Sequence, residues 1–202
     1  MTYFPLMLDL RGRPVLLLAG GPETSVKLKA LLEAGARVTV LAEEDAFGLE
    51  ALEREDKIRF LVISHPKDKA IHPRVKAEAD RRGVFLVAVD DPQNASAILP
   101  AVLRRGELVV ALSTSGAAPA LAVRLKERLA RLFPEAYGEL VAFLRTLRPR
   151  IAQIPSFEER KRLWYRIVDQ ALEELDLDPR EGLGRAKEKA EEALKEVAAW
   201  TR

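Results

Sequence analysis

The sequence predicts an α/β fold, a parallel β-sheet domain followed by a helical region. Three observations predict it. Short apolar runs, too brief for helices and bounded by Gly, Pro or charged residues, recur before residue 113. Stretches with helical spacing of their apolar positions alternate with these runs. From Pro119 onward the pattern is helical.

The elements follow in order. Residues 14–19 (PVLLLA) read as a buried parallel strand, ended by Gly20-Gly21-Pro22. A helix then carries Leu28, Leu31, Leu32 and Gly35 on one stripe, with Pro22 where a first turn tolerates it. Residues 36–41 (ARVTVL) alternate and are β-branched, giving a second strand and completing one βαβ unit. Residues 43–55 are charged and suggest a short surface helix, and 58–63 (IRFLVI) a third strand. A helix over 73–82 ends at Gly83. The fourth strand, 84–89 (VFLVAV), stops at Asp90-Asp91-Pro92, because proline restricts its neighbour and lacks a donor. Two more strands, 98–103 and 108–112, are joined by the turn Arg104-Arg105-Gly106-Glu107.

Beyond them, helices are expected over 121–132 and 136–147, with a hinge marked by Pro149 and Pro155. The helix over 158–175 places Trp164, Ile167, Val168, Ala171, Leu172 and Leu175 on one stripe. Asp176-Leu177-Asp178-Pro179 breaks it before a last helix over 185–200. The expected domains are therefore 1–112, a nucleotide-binding sheet domain; 113–148, a region combining dimerisation and a ligand site; and 149–202, a helical domain. The apolar stripe must be covered by its own domain or by a second subunit.

Composition narrows the chemistry. With no cysteine there is no disulfide, thiolate-bound zinc, iron–sulfur cluster or catalytic thiol. The two histidines, His65 and His72, read as surface loop residues, and no metal site is expected. A net charge of +2 without a polybasic tract argues against nucleic acid. No positive segment precedes an apolar stretch at the start, and no apolar run approaches a membrane span, so a cytoplasmic protein is expected.

Four places carry candidate chemistry, each with a plainer reading beside it. Gly20, Gly21, Pro22 and Glu23 form a strand-to-helix turn where backbone N–H groups approach a pyrophosphate in Rossmann-like dinucleotide folds, or simply a turn. Glu43 and Glu44 follow the second strand, where an acidic residue accepts hydrogen bonds from a ribose, or begin a helix whose dipole favours them. Asp90 ends a strand on the edge that faces the ligand crevice in open α/β sheets, well placed for proton transfer, or opens an Asx-type turn. Ser113, Thr114 and Ser115 precede a helix and either hold ligand carboxylates or cap it. Arg104 and Arg105 supply charge-assisted bonds to an anion or solvate a turn.

The order of these pieces is more specific than any one of them. The opening YFPLMLDLRGRPVLLLAGG, the helix KLKALLEAGARVTV, the strand ending VDDP, the run ILPAVLRRGELVVALSTSGAAPALAVRLKERL and the later SFEERKRLWYRIV together resemble the siroheme synthase and precorrin-2 dehydrogenase family. The resemblance covers nearly the whole chain. It implies NAD-dependent dehydrogenation of precorrin-2 to sirohydrochlorin, with ferrous-iron insertion in some members, and a homodimer. It assigns Asp90 as the acid/base, Pro22, Glu23, Glu43 and Glu44 to NAD, and Ser113, Thr114 and Ser115 to the tetrapyrrole. Ala19-Gly20-Gly21 stands where the family has three glycines, and Ser64-His65-Pro66-Lys67-Asp68 where it has Ala-Ala-Thr and acidic residues. A member without NAD binding, acting as a chelatase, tetrapyrrole carrier or non-catalytic partner, is the alternative.

Overall fold

The computed structural model describes residues 3–42 and 60–200, and divides into two compact units. The first comprises Met1–Leu99 and Ser113–Ala118; the second comprises Pro100–Leu112 and Pro119–Arg202. Glu43, Glu44 and the surface helix expected over 43–55 lie outside the described residues.

In the first unit four parallel strands lie in the order β2-β1-β3-β4: β1 Pro14–Ala19, β2 Arg37–Ala42, β3 Leu61–Ser64 and β4 Phe85–Ala88. Helices α1 (Thr24–Glu33) and α2 (His72–Arg82) cover opposite faces. Alternation along the strands makes this possible. Leu16, Leu18, Val62 and Leu86 pack with Val75 and Ala79 of α2, while Val15, Leu17, Leu61, Ile63 and Val87 share the other face with Leu31 of α1. β1 pairs with β2 on one side and β3 on the other, so the chain reverses its winding direction between β1 and β3. Beyond β4, Ser96 and Ala97 donate their N–H groups to the Leu86 carbonyl, and the Ser96 hydroxyl accepts from the Leu86 N–H.

The two strands expected to follow β4 do form, as β5 (Ala101–Arg105) and β6 (Leu108–Leu112), but as a separate antiparallel hairpin grouped with the helices. They turn at Gly106, whose φ of +53° suits a residue without a Cβ, and they pair with each other. The expected boundaries after residues 112 and 148 differ from this division accordingly.

The second unit continues with α3 (Pro119–Leu132), α4 (Ala136–Ile151), α5 (Phe157–Leu177) and α6 (Gly182–Trp200). α4 runs through Pro149, against the expected hinge there. Leu147 and Ile151 on either side of the proline are fully buried, and Pro149 falls in the last turn, so packing carries the helix past it. The stripe on α5 is also turned from the expected one. Leu163, Ile167, Ala171 and Leu175 are buried; Trp164 and Val168 are only half-buried, and Leu172 is exposed. Ala190, Ala193 and Leu194 of α6 share the core of this face, so the chain itself covers most of it. Glu174 is the charged exception: its carboxylate is buried and accepts from Arg185 Nε and Lys189 Nζ, each at 2.5 Å. Among the described residues no helix is long and apolar enough to cross a membrane.

Candidate functional site

The C-terminal edge of the parallel sheet collects the polar residues of the first unit. After β1 the chain turns through Gly20 and Gly21 into α1. The Gly21 N–H donates to the His65 carbonyl (2.7 Å), and the His65 N–H donates to the Leu18 carbonyl (3.0 Å). These bonds join the ends of β1 and β3 at the reversal of winding, where open α/β sheets hold their ligands. Thr24 closes the turn by donating its hydroxyl to the Gly21 carbonyl at 2.8 Å. No side chain caps the start of α1, so its first N–H groups have no side-chain partner, and the carboxylate-bearing residue Glu23 stands at the N-cap. Glu23 is held below the ordinary carboxylate range by a hydrogen bond from Lys27 at 2.8 Å.

His65 is buried, 8 % exposed, and does not lie on the surface as the sequence suggested. Its imidazole rests on Gly21: a Cβ there would lie 2.4 Å from Nε2 and 2.5 Å from Cε1. Gly21 thus makes room for an imidazole. Nδ1 of the same ring is buried without a partner. Burial first, then the Lys27 ammonium, holds this imidazole below its ordinary pKa against the pull of Glu23 and Asp90. It is therefore neutral near pH 7.

Asp90 follows β4 at the same edge. Its backbone is left-handed, with φ at +56°, and its side chain is 78 % exposed. Such a conformation costs a non-glycine residue about 1–2 kcal/mol. Among the described residues only Asp90 and Ser115 (φ +54°) are non-glycines with positive φ, and both were candidate site residues. Strain of this kind gathers at sites where geometry serves chemistry. Lys69 stands by Asp90, its Nζ 3.3 Å from the backbone carbonyl and 4.0 Å from Oδ2. No sequence signal had singled out Lys69.

Asp91 behaves differently from its neighbour. Its carboxylate Oδ2 accepts from Nδ1 of His72 (2.9 Å) and Nδ2 of Asn94 (2.8 Å). Those bonds, Asn94 first and His72 second, lower its pKa. His72 is wholly buried, again contrary to a surface loop position, and opens α2.

In the loop Ser113–Ala118, the Ser113 hydroxyl accepts from the Ser115 N–H (3.0 Å) and the Thr114 hydroxyl from the Ala118 N–H (3.1 Å). Thr114 thereby shapes the loop, while Ser113 and Ser115 are exposed. Arg105 belongs to the second unit, where it donates to the carbonyls of Phe133 and Ala130 at the end of α3 and pairs with Glu135. Arg104 is exposed on β5. Among the described residues no group of three or more His, Asp or Glu residues is arranged to hold a metal ion.

Three family models match the chain in succession: an NAD(P)-binding model over residues 6–101, the sirohaem biosynthesis protein central model over 105–132, and the sirohaem synthase dimerisation region over 136–197. Siroheme synthase 1 of Yersinia enterocolitica is 38% identical over 179 residues, covering 81% of this chain and 38% of that protein. The siroheme synthase of Neisseria meningitidis is 35% identical, over 81% of this chain and 37% of its own length. The chain thus spans about two-fifths of the curated relatives it matches. The solved structure of SirC, precorrin-2 dehydrogenase, superposes with a TM-score of 0.66 at 27% identity, covering 92% of this chain and 100% of its own. With its sheet unit, hairpin and helical unit matched in this order, the chain belongs to the family of precorrin-2 dehydrogenases and siroheme synthase N-terminal regions.

Proposed function

We propose that this protein oxidises precorrin-2 to sirohydrochlorin with NAD, and that Asp90 is its acid/base. The observation that carries the reading is Asp90 itself: a carboxylate held in a left-handed conformation, open to solvent, at the ligand-facing edge of a parallel sheet. Proton transfer needs a carboxylate that reaches its substrate, and of the two adjacent aspartates Asp90 is exposed whereas Asp91 is engaged by His72 and Asn94.

The residues present fit a dinucleotide. The uncapped N-terminus of α1 supplies N–H groups for a pyrophosphate, and the unpartnered Nδ1 of His65 supplies a buried polar atom beside the turn. Gly20, Gly21, Pro22 and Glu23 would hold NAD there, and Glu43 and Glu44 its ribose. NAD, when bound, accepts a hydride. Removing a hydride and a proton from precorrin-2 leaves sirohydrochlorin, and Asp90 takes the proton. Ser113 and Ser115 offer exposed hydroxyls to the carboxylates of the tetrapyrrole. Arg105 is already engaged by the end of α3 within the second unit. The match to a dimerisation region supports a homodimer. Ferrous iron would enter as a second substrate, not as a resident cofactor.

One observation favours the alternative, a chelatase or carrier without NAD. The Gly21 N–H is committed to His65, and the imidazole lies on the face of Gly21 that a pyrophosphate approaches in dinucleotide folds. The test is precorrin-2 turnover followed by absorbance with and without NAD, alongside calorimetric titration of NAD. NAD-dependent formation of sirohydrochlorin is expected. No heat at millimolar NAD, with iron insertion into sirohydrochlorin intact, would establish the alternative.

A further inference from the structure

We propose that residues 69–72 form a positioning clamp for Asp90, with His72 as its anchor. The inference rests on the reading of Asp90 as the acid/base.

Two adjacent aspartates leave β4 in opposite roles. A left-handed residue other than glycine carries some strain, less for an aspartate than for most, and a surrounding that fixes the backbone keeps it there. Here the residue after it supplies that constraint. Asp91 is tied to the body of the unit by His72 Nδ1 and to its own turn by Asn94 Nδ2, through one oxygen, Oδ2. Its backbone is held as well: the Asp91 N–H donates to the Ala88 carbonyl and the Asn94 N–H to the Asp91 carbonyl.

His72 is a firm anchor because it is the first residue of α2, whose Val75 and Ala79 lie in the sheet core. The carboxylate only accepts, so Nδ1 of His72 is the donor in this bond. Nε2 of the same ring is buried and has no partner. An apolar side chain would fill this space without leaving such an atom unsatisfied, so packing does not account for an imidazole here. The bond to Asp91 does.

The same segment grips Asp90 directly. Lys69 lies in the 3-10 turn Lys69–Ile71, which runs straight into α2, and its ammonium donates to the Asp90 carbonyl. Asp68 secures that turn by accepting from the Ala70 N–H at 2.9 Å. One short segment therefore holds both aspartates, 19 and 21 residues further along the chain. With Asp91 drawn inward, the left-handed backbone turns the Asp90 carboxylate outward.

The test compares two substitutions in the full-length protein. His72→Leu keeps an apolar side chain of similar bulk and removes the donor; His72→Asn places an amide N–H near the position of Nδ1. If His72 were only core, Leu would serve at least as well as Asn. As a clamp, His72→Leu lowers kcat about 10- to 100-fold with KM for precorrin-2 little changed, since misplacement of about 1 Å has effects of that order. His72→Asn recovers most of kcat despite a lower Tm. In an Asp90→Asn background, His72→Leu has no further effect. Full activity of His72→Leu, while Asp90→Asn is inactive, overturns the clamp and leaves the function standing. Full activity of Asp90→Asn overturns the acid/base assignment instead. A crystal structure of His72→Leu decides independently of any assay: residue 90 should leave the left-handed region, and its persistence there rules the clamp out.

Discussion

The two units treat their buried polar groups in contrasting ways. In the helical unit Glu174 is buried, yet Arg185 and Lys189 bind both of its oxygens. In the sheet unit Ser64 Oγ, His65 Nδ1 and His72 Nε2 are buried without partners, and the two strained non-glycines, Asp90 and Ser115, also lie there. The helical unit has one comparable atom among the described residues, Gln170 Oε1. Satisfied polar groups stabilise; unsatisfied and strained ones cost stability and are retained where a ligand or a geometry needs them. The contrast agrees with the proposal that the helices are scaffold and the edge of the sheet carries the chemistry.

The largest effect should come from Asp90→Asn, which keeps the shape and removes the proton acceptor. Turnover should fall by roughly 100- to 10,000-fold while circular dichroism and Tm stay near wild type. An equal loss from Asp91→Asn would blur the contrast between the two aspartates, because an asparagine oxygen still accepts from His72 and Asn94.

In the helical unit the matching experiment concerns packing. A Cβ on Gly182 would lie 2.0 Å from the Glu174 carbonyl oxygen, a backbone atom that cannot swing aside. Gly182→Ala should destabilise by at least about 1–3 kcal/mol in urea denaturation. Gly184→Ala, with nothing within 4 Å, should be neutral or mildly stabilising. Similar behaviour of the two would mean that α5 and α6 do not approach so closely.

Glu174→Gln tests the paired charge. Hydrogen bonds from Arg185, and then Lys189, hold the folded carboxyl below its ordinary value of 4.5. A depressed carboxylate contributes stability that is complete above its unfolded pKa and lost as pH falls through the folded one. The Tm difference between wild type and Glu174→Gln should therefore be constant from neutral pH down to about 4.5 and shrink below it. A difference that grew on acidification would contradict the pairing.

The smallest effect belongs to Ser115→Gly. Relieving the left-handed strain gains about 1–2 kcal/mol, and the extra freedom of an unfolded glycine offsets about 0.5–1 kcal/mol. A net gain of about 0.5–1 kcal/mol in urea denaturation is expected. A net loss would show that the Ser115 side chain stabilises its loop.

Much of the sheet unit was legible because β1 and β3 are buried on both faces and read as unbroken apolar runs, as in PVLLLA at β1, while the edge strand β2 alternates. Its helices were legible because Val75 and Ala79, or Leu28 and Leu31, recur at helical spacing. Asp90 was legible from its position at a strand end and from the family pattern. Lys69 was not, since one lysine in a polar loop resembles any other until the loop folds back on β4.

Periodicity and punctuation by glycine and proline are local, so the sequence alone determined the order of the described helices and strands and the α/β class. Only the tertiary structure decided that His65 and His72 are buried, that Asp91 points inward and Asp90 outward, and that β5 and β6 pair apart from the parallel sheet. The reason is that each depends on contacts between distant parts of the chain: His72 meets Asp91 19 residues away, and His65 meets Gly21 across two strands. A local pattern holds no record of which of two neighbouring carboxylates a buried imidazole will reach.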